Sequence, residues 1–396
     1  MIPAERFAGA IPSLLSAIVT SLATLLSALP TPAVILERSR LQANCERMAQ
    51  RAAHAGVSLR PHLKTAKSAE VARIATAGQP GGITVSTLAE LAYFFDAGFR
   101  DMTYAVGIVP SKLPAMARFI EQGARINVVL DSVRAADEIA GHAGAPIPVL
   151  VEIDCGGHRA GVAPESSELI AIAERIASAP GLRLEGVLTH AGHSYHAADA
   201  AARREIAIAE RDAAVRAAER IRAAGMPCPT VSIGSTPTAL TDIPLDGVTE
   251  IRPGVYVFFD LSQARLGVCH VDDIAVSVLA TVIGHHREAG HLLLDAGALA
   301  LSKDISANEY DPQVGYGLVC DIDGRPVDGL HVADVHQEHG FVRSAAGELP
   351  FDRFPVGTQL RILPNHACMT VAPYREYHVL DAGSSTLTKW SKTYGW

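Results

Sequence analysis

The stretch Val57-Ser58-Leu59-Arg60-Pro61-His62-Leu63-Lys64-Thr65-Ala66-Lys67 decides how the chain is organised. A short apolar run, Val57 to Leu59, leads into a cationic segment with a proline, and a helix-like segment, Ser68 to Ala77, follows. This order predicts the C-terminal end of a β-strand and the loop beyond it. In a (β/α)8 barrel the active-site face lies at that end of the strands. A lysine amine held there among apolar and aromatic neighbours is a nucleophile towards an aldehyde. On an ordinary surface loop the same lysine is a solvated cation, and these residues alone do not separate the two. Lys67 reads as a solvated neighbour.

Outward from this segment, β-rich runs alternate with helical ones. Strands are expected at Ser58–Lys64, Gly82–Ser86, Asp101–Val106, Arg125–Leu130, Pro148–Asp154, Arg183–His190, Thr230–Ile233 and Val248–Arg252. Helices are expected between them, among others at Ala115–Gln122, Glu165–Ser178 and Ala198–Ala224, the last rich in good helix formers. This alternation predicts an α/β fold, a (β/α)8 barrel of the TIM type. A doubly wound sheet is the alternative, but no Gly-x-Gly-x-x-Gly follows the first strand. Past Gly267 the pattern becomes short β-rich runs between turn signals such as Asp323-Gly324, which predicts an antiparallel β domain. The expected division is a helical extension over residues 1–30, a barrel over 31–267 and a β domain over 268–396. The early strand Ala33–Glu37 is expected to pair into the β domain.

Composition narrows the function classes. Of 396 residues, 48% are hydrophobic and 19% charged, enough for full cores and too few charges for a disordered chain. A net charge of −8 argues against a nucleic-acid partner. Six cysteines without paired spacing fit a reducing, cytoplasmic setting. Residues 8–29 are apolar, but Glu5 beside Arg6 leaves no positive leader, and Leu15, Ile18, Leu22, Leu25 and Leu29 share a helical face. An amphipathic helix packed on the body is expected there, with a cleaved signal as the alternative. A membrane span is not, given the many hydroxyl side chains.

Chemistry-bearing residues cluster at the expected strand ends. In Ile233-Gly234-Ser235-Thr236-Pro237-Thr238, small residues and hydroxyls suit an anion such as phosphate, at the position barrels commonly use for one. Glu250-Ile251-Arg252-Pro253-Gly254-Val255-Tyr256 closes the last barrel strand. Asp154-Cys155-Gly156-Gly157-His158-Arg159-Ala160-Gly161 offers an arginine whose fork matches a carboxylate. Thr189-His190-Ala191-Gly192-His193-Ser194-Tyr195-His196 gathers imidazoles that can move protons or bind metal. In the β domain, Pro364-Asn365-His366-Ala367-Cys368 reads as an extended segment that places His366 and Cys368 on one side, a pair suited to zinc.

Taken together, the Pro-His-x-Lys-Thr, Gly-Ser-Thr-Pro-Thr and Arg-Pro-Gly segments resemble a family of fold-type III pyridoxal-phosphate enzymes. It contains the D-serine dehydratases, D-threo-3-hydroxyaspartate dehydratases and D-threonine aldolases, and is related to alanine racemase. The resemblance covers roughly residues 30 to 396. It implies that Lys64 carries pyridoxal phosphate covalently and that Gly234, Ser235 and Thr236 hold its phosphate. It implies Arg252 at the pyridine nitrogen, with Tyr256, Tyr195 and Arg159 beside the cofactor and His193 as an acid or base. It implies a metal at His366 and Cys368, zinc by the cysteine, with manganese or another divalent cation as the alternative. The expected activity is elimination of water from a D-3-hydroxy amino acid, giving a 2-oxo acid and ammonia. Retro-aldol cleavage to glycine and an aldehyde is the alternative. A cytoplasmic homodimer is expected.

Overall fold

Strand β1 (Ala33–Glu37) opens the ordered sequence of strands in this computed structural model, which describes residues 24–79, 82–141, 145–381, 384 and 386–396. The chain divides into two units. One comprises Gln42–Val257, Leu266–Cys269 and Lys392–Trp396; the other comprises the chain up to Leu41, Phe258–Arg265 and His270–Ser391.

The first unit is the barrel. Its strands are β2 (Ser58–Leu59), β3 (Ile83–Val85), β4 (Asp101–Gly107), β5 (Arg125–Leu130), β6 (Ile147–Ile153), β7 (Leu182–Thr189), β8 (Thr230–Ile233) and β9 (Glu250–Ile251). All pairings are parallel, in the order β2-β9-β8-β7-β6-β5-β4-β3. The ring closes just past β2, where His62 bridges Thr84 in parallel sense. Strands such as β5 and β6 are buried along nearly their whole length, as parallel strands covered on both faces must be. Helices between them bury one stripe. Ser167–Ser178 starts at Ser166, whose hydroxyl accepts from Glu168 N, and buries Leu169, Ile172, Ala173 and Ile176 at helical spacing. Ala200–Ala223 starts at Asp199 and buries an alanine stripe broken by one carboxylate, Glu210.

The second unit is an antiparallel barrel. Its strands are β10 (Val276–His286), β11 (His291–Leu294), β12 (Leu318–Cys320), β13 (Pro326–Val335), β14 (Gly340–Ser344) and β15 (Gln359–Leu363). The long β10 pairs with β15 along one edge and with β11 beyond a bulge, so the order β10-β11-β14-β13-β12-β15 closes on itself around an aliphatic core. Strand β1 joins this sheet, antiparallel to β10 and parallel to β16 (Glu376–Leu380), and β17 (Thr388–Ser391) finishes the edge. Of the helix expected over residues 8–29, the part up to residue 23 lies outside the described residues. Residues 24–27 are helical, and Leu26 is buried with Ala33, Ile35 and Leu279. Among the described residues no helix is long and apolar enough to cross a membrane, and none of the six cysteines is in a disulfide.

Closure of the parallel barrel is reinforced by buried charge. Arg60 Nε donates to Glu250 at 2.8 Å and Nη1 to Asp101 at 2.9 Å, with the arginine and Glu250 both nearly sealed from solvent. Removing one partner of a buried pair strands the other. Arg60→Ala is therefore expected to destabilise the protein by about 3–5 kcal/mol in urea unfolding. Arg134→Ala, which breaks the exposed Arg134–Glu138 pair on a helix surface, is expected to cost only about 0.5 kcal/mol.

Candidate active site

Beyond β2 the backbone stays in the ladder without forming a strand. Arg60 N bonds to Ile251 O and His62 N to Pro253 O on one side, while Leu63 N bonds to Thr84 O on the other. The chain then turns through Leu63–Ala66, which delivers Lys64 to the C-terminal end of the barrel. Its amine makes no hydrogen bond or ion pair among the described residues and opens into a cavity of about 240 Å³, shared with His62, Arg159, His190, Gly234 and Arg252. Lys67 corrects the expectation of a solvated neighbour. It takes a left-handed φ of 51°, its amine is ion-paired with the buried Glu90, and its carbonyl accepts from Thr393 N at 2.8 Å.

The cavity is cationic but its imidazoles are neutral. Burial, reinforced by the Lys64 charge, pushes His190 down to about 3 and holds His62 well below its ordinary value. His190 Nδ1 meets Gly234 O at 2.6 Å, so it carries the proton and leaves Nε2 as an acceptor. Arg252 is fully enclosed, and burial lowers its guanidinium to about 10 despite Glu250, Glu210 and Glu152 nearby. It donates to Ser232 Oγ and, at 2.5 Å, to Thr189 O. Burial also pushes the Glu152 carboxyl up, against the opposing Arg159 and Arg252 charges. Sequence reasoning gave no role to His62 or Glu152, and took His190 only as one of three clustered imidazoles able to move protons or bind metal. Alternation back from Lys64 to His62 was the one local signal for the other two.

The turn after β8 is held tightly. Gly234 has φ 134°, and a Cβ there would lie 2.6 Å from Arg252 N. Ser235 Oγ contacts Ser194 Oγ at 2.8 Å and caps Thr238, while Thr236 Oγ1 accepts from Tyr256 N at 3.2 Å. Glu210 joins this turn to the one after β7, accepting from Ala191 N at 2.8 Å and Gly234 N at 3.1 Å. Tyr256 is fully buried and lines neither cavity of the site. Tyr195 lies with its ring 6.4 Å from that of His190.

A second cavity, about 350 Å³, shares Glu152, Arg159 and His190 with the first and adds Asp154, Gly157, His193 and His196. His193 Nδ1 is buried without a partner, and burial lowers its pKa against the pull of Asp154. Gly157 makes room for it, since a Cβ there would sit 2.9 Å from Nδ1. His158, by contrast, bonds to Asp154 at 2.7 Å on the exposed side.

In the β unit, His366 and Cys368 do come together, but not as an extended segment. His366 precedes a helical turn, Ala367–Val371, which carries the cysteine; the backbone turns there because Asp260 accepts from Ala367 N at 2.9 Å. Burial works against the His366 imidazolium. The Cys368 sulfur and the Asp304 carboxylate, 2.7 Å from Nδ1, outweigh burial and raise it to about 11. Among the described residues no group of three or more His, Cys, Asp or Glu side chains could hold a metal.

The Glu210 contacts are directly testable. Glu210→Ala orphans two buried N–H groups, at about 1–3 kcal/mol each. Urea unfolding is expected to show a loss in that range per group, and Glu210→Gln, which keeps a carbonyl acceptor, to lose less than half as much.

Comparison with known proteins places these sites in context. Residues 36–262 match the alanine racemase N-terminal domain family, and residues 275–380 match a serine dehydratase domain family. The D-threo-3-hydroxyaspartate dehydratase of Delftia sp. (strain HT23) is 47% identical over 93% of this chain and 98% of its own. Its solved structure superposes with a TM-score of 0.90 over 94% of this chain and 100% of that one. A D-threo-3-hydroxyaspartate dehydratase carrying a cysteine-to-alanine mutation, in its metal-free form, superposes equally well at 0.90. The D-serine dehydratase of Dictyostelium discoideum is 32% identical over 93% of this chain and 98% of its own. The D-threonine aldolase structure from Filomicrobium marinum is 28% identical, with a TM-score of 0.80 over 93% of this chain and 96% of that one.

Proposed function

The chain belongs to the alanine racemase-like family that includes the D-serine and D-threo-3-hydroxyaspartate dehydratases, and from that premise we propose that it is a pyridoxal-phosphate enzyme removing water from a D-3-hydroxy amino acid of one of those two types, to give a 2-oxo acid and ammonia. The observation that carries this reading is the unpaired Lys64 amine in a cavity ringed by Arg159, Arg252 and two neutral imidazoles. That set fits the cofactor. The amine suits its aldehyde, the guanidinium groups suit its anionic charge, and a carboxyl pushed towards neutrality at Glu152 does not repel it. Pyridoxal phosphate bound there would supply an electron sink for negative charge at the substrate's Cα.

The remaining work falls to this chain's residues. Lys64 Nζ would hold the cofactor's aldehyde and, once released, move the Cα proton. The Arg159 fork holds the substrate carboxylate. Arg252 would hold the ring-nitrogen end of the cofactor as a hydrogen-bond donor. The turn of Gly234, Ser235 and Thr236 receives the phosphate, with Tyr195 and Tyr256 supporting the cofactor's surroundings. His193, with its unpartnered Nδ1 on the second cavity, transfers protons. Across the reaction the substrate loses its Cα proton and its 3-hydroxide; the released enamine tautomerises, and water hydrolyses it to the 2-oxo acid and ammonia.

His366 and Cys368 are the proposed metal ligands. A divalent ion held there would supply a Lewis acid, which lowers the cost of losing hydroxide from carbon. The imidazole and sulfur donors suit zinc; manganese or another divalent cation is the alternative. The metal-free form of a cysteine-to-alanine mutant of a D-threo-3-hydroxyaspartate dehydratase is consistent with a cysteine ligand. A homodimer in the cytoplasm, in keeping with six cysteines outside any disulfide, completes the reading.

Incubation of the protein with D-3-hydroxyaspartate or D-serine is expected to release ammonia and a 2-oxo acid; glycine and an aldehyde as the main products would overturn the assignment in favour of an aldolase. Lys64→Ala is expected to abolish both turnover and any borohydride-stable cofactor adduct on the protein. Chelator treatment is expected to stop ammonia release and leave the bound cofactor's visible absorbance unchanged, with zinc restoring activity better than magnesium.

A further inference from the structure

The proposed metal pair is held from two sides by carboxylates that play no part in the reading so far. Asp304 lies 62 residues before His366 in the chain, yet its Oδ2 meets His366 Nδ1 at 2.7 Å. The carboxylate is itself fixed. Oδ1 accepts from Ser306 N at 2.9 Å, and Asp304 N donates to Ser302 Oγ at 3.0 Å, after Ser302 takes a left-handed φ of 73°. The segment carrying it is tied to the metal-pair segment twice more: Thr370 Oγ1 donates to Leu301 O and Tyr374 Oη to Ala300 O, each at 2.9 Å. From the other side, buried Asp260 accepts from Ala367 N, and Leu261 N bonds to Pro364 O at 3.0 Å. The backbone around His366 is thus fixed independently of its ring.

An imidazole on a fixed backbone can still rotate and exchange tautomers. A carboxylate on Nδ1 removes that freedom: it holds the proton on Nδ1, leaves the lone pair on Nε2 and sets the ring plane. Building on the assignment of His366 and Cys368 as ligands, we infer that Asp304 is a positioning residue which presents His366 Nε2 to the divalent ion. It acts through the imidazole rather than by coordinating the metal, since its Oδ2 is occupied by Nδ1 and its Oδ1 by the Ser306 N–H.

The test is zinc affinity, measured on the full-length, cofactor-loaded protein after chelator stripping, by competition between zinc alone and a chromophoric chelator. Partners of metal-bound histidines typically contribute 10–100-fold to affinity. Asp304→Ala is expected to bind stoichiometric zinc about 10–100-fold more weakly. Asp304→Asn keeps one acceptor oxygen, which can still meet Nδ1–H at the expense of the Ser306 contact, and is expected to recover part of that loss; it also serves if the alanine variant fails to fold. His366→Ala and Cys368→Ala are expected to lose stoichiometric binding altogether. Wild-type affinity in folded Asp304→Ala overturns the inference while leaving the metal pair intact. Loss as complete as in His366→Ala also overturns it, because Asp304 would then be a ligand. Absence of stoichiometric zinc in the wild-type protein overturns the metal reading itself and the positioning role with it.

Discussion

Buried guanidinium groups must be paired, and in this barrel one chain of pairs does so across several strands. Arg252 donates to Ser232 Oγ, the serine hydroxyl donates to Glu250 at 2.5 Å, Glu250 accepts from Arg60, and Arg60 reaches Asp101. The relay couples β9, β8 and β4 to the residue that follows β2. It lets the barrel keep a cation at the floor of its site without an isolated charge in its interior. Lys64 lies four residues after Arg60's own position in the ladder, so the nucleophile's place is set by the same interactions that close the ring.

The site's electrostatics follow from that frame. The chain is acidic as a whole, at −8, yet its cavity collects Lys64, Arg159 and Arg252. Two histidines beside them stay uncharged because burial and the lysine charge both oppose protonation. The result is a pocket that welcomes a small anion while keeping neutral, hydrogen-bonding walls. Net charge describes the surface and its long-range partners; it says little about a cavity where a few groups at short range dominate.

Much of this was legible in the residues. Runs rich in Leu, Val and Ile gave β5, β6 and β7 nearly to the residue, because parallel strands covered on both faces need no strict alternation. Strand β17 was not expected, since Thr388–Ser391 is polar and buries only Trp390. The His366–Cys368 pair was found by its donor types, but the extended geometry was wrong. A carboxylate at Asp260, more than a hundred residues away, caps a helical turn that five local residues do not announce. Glu210 was invisible for a related reason. In an Ala/Arg/Glu-rich helix a single glutamate looks like a surface residue until the packing shows which face is buried.

Lys64 and Lys67 make the same point about tertiary context more sharply. They lie three residues apart, with the same charge and the same reach. Lys67 is drawn to Glu90, whose other oxygen accepts from Ser86 N at 2.6 Å, so that pair is part of the architecture that holds the turn. That ion pair holds the Lys67 amine in the fold, away from the lining of the cavity. Lys64 has no such partner among the described residues and faces Arg159, Arg252 and neutral imidazoles instead. Its amine is therefore open to an aldehyde that enters the cavity. The division of labour between the two lysines is therefore a consequence of where Glu90 sits, one strand over, and exchanging their roles would require moving that one carboxylate.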